Sequence, residues 1–131
     1  MRMNGSYLLD TNIVIALFAN DSNVLQQLSA TSQIFIPSIV FGELYYGANK
    51  STHSKSNIIH IDNFALKSAI LACDTDTARH YGHIKDHLRA KGNPIPENDI
   101  WIAAIAKQYR LTLVSRDQHF KVIKEIKVEQ W

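Results

Sequence analysis

Ser6-Tyr7-Leu8-Leu9-Asp10-Thr11-Asn12-Ile13-Val14 passes from a short apolar run to a helical pattern across a single acid. A run of that length followed at once by a helix suits a buried parallel strand feeding a crossover. Four further runs read the same way: Gln33 to Ile36, Ala69 to Cys73, Leu111 to Ser115 and Ile126 to Glu129. Between them lie helical patterns over Thr11 to Phe18, Ser22 to Ala30, Ser38 to Asn49, Ser56 to Lys67, Thr75 to Lys91 and Asn98 to Tyr109. Local chemistry marks several boundaries. Ser38 after Pro37 is a plausible N-cap, Asp74 or Thr75 can cap the long helix, and Gly92 ends it before Pro94 and Pro96. The alternation predicts an α/β fold, a three-layer α/β/α sandwich around a five-stranded parallel sheet with right-handed crossovers. Ligands of such folds bind beyond the carboxyl ends of the strands.

The 131 residues fit one domain spanning 1–131, and 46% hydrophobic residues suffice for a packed core. No apolar run is long enough to span a bilayer, and Met1 to Tyr7 lacks the pattern of an export signal, so a soluble cytoplasmic protein is expected. The lone Cys73 excludes an internal disulfide and a Cys-rich zinc site, and its simplest role is that of a small buried hydrophobe. Fourteen Lys and Arg against twelve Asp and Glu give a net charge near +2, too weak a bias to identify a partner. From Lys107 to Lys127, however, basic residues outnumber acids, a stretch suited either to phosphates or to solvent.

Two acids sit at strand ends. Asp10 follows Leu9 directly, and Asp117 comes just after the run that ends near Val114. Two more are placed by helix geometry, at about 100° per residue. Asp99 shares a face with Ile102, Ala103 and Ala106 and so points inward; Glu43 lies at the edge of the stripe through Val40, Leu44 and Ala48. Singly, most of these acids have ordinary explanations: Asp10 capping the first helix, Asp99 meeting a helix dipole, Asp117 capping the turn before Phe120. Glu43 has no capping role. Together they pose an energetic problem, since two like charges about 4 Å apart repel by roughly 4 kcal/mol at an effective dielectric near 20. An oxygen-only, carboxylate-rich site is what hard dications such as Mg²⁺ or Mn²⁺ select, and phosphodiester hydrolysis follows as an expectation.

These residues resemble a known family. Leu8-Leu9-Asp10-Thr11-Asn12, Glu43-Leu44 with Gly47-Ala48, Gly92 through Ile95 to Asp99 with Ile102-Ala103-Ala104, and Ser115-Arg116-Asp117 with Phe120 look like PIN-domain ribonucleases, in particular the VapC-type toxins of prokaryotic toxin–antitoxin modules. The resemblance implies a sheet order of 3-2-1-4-5. It also implies that Asp10, Glu43, Asp99 and Asp117 are the metal-binding and catalytic acids, with Asn12 and Ser115 as flanking polar positions. Mg²⁺- or Mn²⁺-dependent cleavage of RNA by in-line water attack, a homodimer and an inhibiting antitoxin follow from it too. The segment Ser51-Thr52-His53-Ser54 departs from the family's charge-rich helix and leaves the start of that helix open. Two other classes compete: a metal- or nucleic-acid-binding module of this fold without turnover, and a phosphotransfer domain with Asp10 as nucleophile. The latter lacks the second aspartate of a D-x-D motif.

Other residues carry weaker signals. Arg116, beside Asp117, is a candidate either for an RNA phosphate contact or for pairing with an acid. His80, His83 and His87 share one helix whose buried face is formed by Ala78, Tyr81, Ile84 and Leu88; with too few ligands for zinc, they are expected on its polar side. His119 reads as a turn or surface histidine, and Trp101, Tyr45 and Tyr46 as core aromatics before base-stacking or subunit-interface ones. Ile100 and Ala104, opposite the inferred buried stripe, suggest an exposed apolar patch suited to dimerisation.

Overall fold

Leu8 and Leu9 are adjacent in a strand, so their side chains point to opposite faces of the sheet. Both are buried, which requires cover on both faces. Leu113 and Val114 repeat the pattern in the neighbouring strand. The computed structural model describes residues 5–31 and 33–131. Met1 to Asn4, part of the stretch read for an export signal, lie outside them. In chain order the elements are β1 (Ser6–Leu9), α1 (Thr11–Phe18), α2 (Ser22–Ser29), β2 (Gln33–Pro37), α3 (Ser38–Asn49), α4 (Ser54–Leu66), β3 (Ile70–Leu71), α5 (Thr75–Ala90), α6 (Glu97–Tyr109), β4 (Thr112–Val114), a 3₁₀ turn (Gln118–Val122) and β5 (Val128–Glu129).

All strand pairings are parallel, in the order β3-β2-β1-β4-β5. The three-layer α/β reading and the order implied by the family resemblance both hold. β1 lies at the centre, with Leu8 opposite Phe35 of β2 and Leu9 opposite Val114 of β4. The chain leaves β1 toward β2 on one side and reaches β4 on the other only after α6. This reversal is the switch point at which open α/β sheets expose a crevice.

The edge strands are shorter than the sequence suggests, β3 keeping two residues of Ala69 to Cys73 and β5 two of Ile126 to Glu129. An edge strand is paired on one side only, and pairing ends where its single neighbour diverges. Cys73 is exposed, not buried, because it lies beyond the end of β3 in the approach to α5. Ala78 is also exposed, leaving Ile84 and Leu88, with half-buried Tyr81, to seat α5.

Ile100 and Ala104 are likewise corrected. They are 2% and 0% exposed, so no apolar patch arises there. α6 packs against α5, α3 and β4 and is therefore enclosed on more than one face. An all-round apolar helix is the signature of such a position.

The caps mix agreement and correction. Asp74 caps α5 in a capping box with Thr77, and Gly92, at φ +70°, sits just past its end. Ser38 is the first residue of α3 and makes no cap, Pro37 occupying that position. α4 starts at Ser54, earlier than expected.

Candidate active site

Asp10 is the residue at which β1 becomes α1. Its amide donates to the Val114 carbonyl at 3.0 Å, pinning the strand end against β4. Its carboxylate then serves two elements. Oδ1 accepts from the Thr11 amide at 2.8 Å, and Oδ2 accepts from Ser115 Oγ at 2.7 Å and Asn12 Nδ2 at 3.2 Å. Capping a helix and belonging to the acid cluster are thus one placement, not rival explanations. The side chain is buried, and this desolvation pushes its pKa from 3.8 up to about 6. Hydrogen bonds from Ser115 and Thr11 pull the other way, while the charges of Asp99 and Glu43 reinforce the rise.

Asp99 lies in the first turn of α6 and is buried, as its helical face predicts. Asp117 follows β4 and caps the 3₁₀ turn through a 2.9 Å bond accepted from the His119 amide. The turn brings His119 back, so that its Nδ1 lies 3.0 Å from Asp99 Oδ2 and 3.0 Å from Asp117 Oδ1. One ligand atom from each of these three residues falls within 4.8 Å of the others. Burial raises the Asp99 pKa; the His119 bond opposes the rise, and Asp117 and Glu43 add to it. His119 is shifted upward, chiefly by its bond to Asp99. Its position was missed in the sequence, where the available signal was its spacing two residues after Asp117.

Glu43 reaches this end of the sheet from α3. Thr11 Oγ1 donates to its Oε1, and Asn98 Nδ2 lies 3.4 Å from its Oε2. Thr11 was also unrecognised as a site residue; it bridges the helix after β1 to α3. The four acids therefore come from four places in the chain and act on one another electrostatically, Asp10 with Asp99 and Glu43, and Asp99 with Asp117 and Glu43. Among the described residues no Lys or Arg forms an ion pair with any of them. A carboxylate-rich donor set with two buried acids, none of the four paired with Lys or Arg among the described residues, fits a hard divalent ion, with His119 Nδ1 as a nitrogen neighbour of Asp99 and Asp117.

Comparison with known proteins identifies the family and the fold. The PIN domain family matches residues 7–126. Ribonuclease VapC2 of Haemophilus influenzae is 39% identical over 130 residues, 95% of this chain and 97% of that protein. The chain belongs to the PIN-domain family, among its VapC ribonucleases. The tRNA(fMet)-specific endonuclease VapC of Salmonella typhimurium is 33% identical over 128 residues, again 95% of this chain and 97% of the relative. Among solved structures, DNA-bound VapBC from Salmonella typhimurium superposes with a TM-score of 0.88 at 32% identity, covering 96% of this chain and 98% of that one. VapBC2 from Rickettsia felis, bound to a promoter DNA fragment, gives 0.85 at 34% identity, covering 95% and 98%.

In this PIN-domain chain the flanking polar residues form a scaffold beneath the acids. Ser115 Oγ accepts from the Asp117 amide at 2.9 Å while donating to Asp10, so one hydroxyl ties two of the four acids together. Asn12 Oδ1 accepts from the Arg116 amide at 3.1 Å, and its Nδ2 faces Asp10 and Ser115. Arg116 itself takes the acid-pairing alternative. Its guanidinium donates to Asp21 at 3.0 Å and to the Trp131 carbonyl at 2.8 Å, holding Asp21 below the usual carboxylate range.

Proposed function

We propose that this chain is a divalent-metal-dependent endoribonuclease that hydrolyses RNA phosphodiester bonds, with Mg²⁺ or Mn²⁺ held by Asp10, Glu43, Asp99 and Asp117. The observation that carries the reading is that Asp99 and Asp117 bring ligand atoms within 4.8 Å of each other, with Asp10 close enough to Asp99 and Glu43 for their charges to raise its pKa, and that among the described residues no Lys or Arg pairs with any of the four. When bound, the ion supplies neutralisation of phosphoryl charge and acidification of water. The chain's own residues do the rest. Ser115 and Asn12 fix the rotamer of Asp10, and Thr11 and Asn98 hold Glu43. His119, half-exposed between Asp99 and Asp117, is placed to hold a proton at Nδ1 at the edge of the site.

The chain acts as the toxin of a toxin–antitoxin pair in the cytoplasm, as a homodimer restrained by a cognate antitoxin. VapBC complexes as structural neighbours support the antitoxin, and the tRNA(fMet)-specific relative supports structured RNA as the substrate class. Among the described residues no helix is long and apolar enough to cross a membrane.

The test is cleavage of a tRNA pool by purified protein in Mg²⁺ or Mn²⁺, with and without EDTA, for wild type and Asp10→Asn. Metal-dependent cutting that Asp10→Asn abolishes is the expected result. Cleavage that survives EDTA or the substitution would overturn the metal-site reading, and no cleavage by wild type would overturn the nuclease.

A further inference from the structure

Away from the acid site, α5 carries two histidines one turn apart. His83 and His87 have the i, i+4 spacing that puts side chains on one helical face, and their ring centroids are 4.2 Å apart. Two imidazoles alone are too few for a metal, which is why the sequence argued for an ordinary polar surface. The fold adds a third donor from a distant segment. Glu125, between the 3₁₀ turn and β5, brings Oε2 to 2.6 Å from His87 Nδ1. One ligand atom from each of His83, His87 and Glu125 lies within 4.8 Å of the other two.

We propose that His83, His87 and Glu125 form a second metal site that takes a transition-metal dication, Zn²⁺ foremost, with water completing its coordination. Zinc bonds of about 2.0–2.1 Å to nitrogen or oxygen set ligand atoms roughly 3.3 Å apart in a tetrahedron. Both histidines are exposed, so side-chain rotation closes the remaining gap without moving the backbone. Among the described residues His83 has no hydrogen-bond partner to give up. Glu125 supplies the negative charge as a ligand, its Oε2 already drawn to within 2.6 Å of the His87 ring. Two imidazoles and one carboxylate are a borderline donor set that suits Zn²⁺, Co²⁺ or Ni²⁺, whereas Mg²⁺ and Mn²⁺ prefer the carboxylate-rich acid site. Excess Mg²⁺ together with substitutions in each cluster separates the two sites. Bound zinc would join α5 to the segment leading into β5, the two-residue edge strand beside β4.

Calorimetric titration of tag-free protein with Zn²⁺, in excess Mg²⁺ to occupy the acids, tests this. Wild type and Asp99→Asn should each take up one equivalent, while His83→Ala and His87→Ala should weaken it by at least about tenfold, with Glu125→Gln behaving likewise. Zinc uptake that disappears in Asp99→Asn, that persists in His83→Ala, or that is absent from wild type would overturn the site. Circular dichroism checks that the variants fold. RNA cleavage by His83→Ala in Mg²⁺ should match wild type, so the zinc site and the nuclease reading fail separately.

Discussion

The acids at the carboxyl ends of β1 and β4 and the histidines on α5 are the two sites we propose for metal, yet they are built in opposite ways. The acids come from four segments. Two of them are buried, and hydrogen bonds from Thr11, Asn12 and Ser115 hold Asp10. The histidines come from one exposed face of one helix and need only Glu125 from elsewhere. The first arrangement places two of its four acids where water solvates them poorly, so holding them charged is costly until a cation arrives. The second leaves its two histidines solvated, with only Glu125 partly buried, and costs little when empty.

That contrast predicts unequal consequences of disrupting the two. The largest effect is on catalysis. Asp10→Asn should lower kcat for RNA cleavage on the order of a thousandfold, the scale of losing a principal charge-stabilising group, as read in steady-state kinetics. His83→Ala should leave kcat unchanged.

Next is stability without metal. Asp10 has its ordinary pKa of 3.8 in the unfolded chain and about 6 in the folded one. The folded state then binds the proton more tightly. The Asp10 contribution to stability is greatest below about pH 4, falls as pH rises through about 6, and levels off above it, a change on the order of 3 kcal/mol. Denaturant melts in EDTA should show this fall, and in Asp10→Asn it should shrink to the part that Asp99, shifted in the same direction, contributes. Saturating Mg²⁺ at neutral pH should offset the cost in wild type. A wild-type minus Asp10→Asn stability difference in EDTA that does not fall from pH 4 to 7 would contradict an uncompensated buried acid.

A smaller effect is expected at Ser115, whose hydroxyl joins Asp10 to the Asp117 amide. Ser115→Ala should lower kcat by about tenfold with little change in KM, since it misplaces ligands without removing charge, and should cost about 1–2 kcal/mol of stability. Restoration of the hydroxyl by Ser115→Thr separates positioning from packing. The smallest effect is on the other cluster: His83→Ala should change metal-free stability by no more than about 0.5 kcal/mol, as an exposed substitution away from the core.

Much of the fold was legible in one dimension because parallel strands covered on both faces appear as continuous apolar runs, and their helices carry a different period. Leu8-Leu9 and Leu113-Val114 are such runs, and each central strand was found close to where its run lies. The same reasoning placed Asp10 and Asp117 at strand ends and turned Asp99 inward. It failed at Ile100 and Ala104, because periodicity reports one buried face and cannot count how many neighbours a helix acquires. It also failed at Cys73, where hydrophobicity gave no sign that the edge strand stops at Leu71.

The sequence by itself determined the alternation of strands and helices, which acids were candidates for the site and, through their pattern, the family. These depend on local periodicity and on residue chemistry, which a linear chain displays. Tertiary structure alone decided that Thr11 bridges to Glu43, that His119 returns to Asp99 and Asp117, that Arg116 is held by Asp21 and that Glu125 meets His87. Most of these pairings join residues far apart in sequence, and even the nearer return of His119 to Asp99 depends on how α6, β4 and the 3₁₀ turn pack together. Such distances are set by the packing of whole elements, which no short window of sequence encodes.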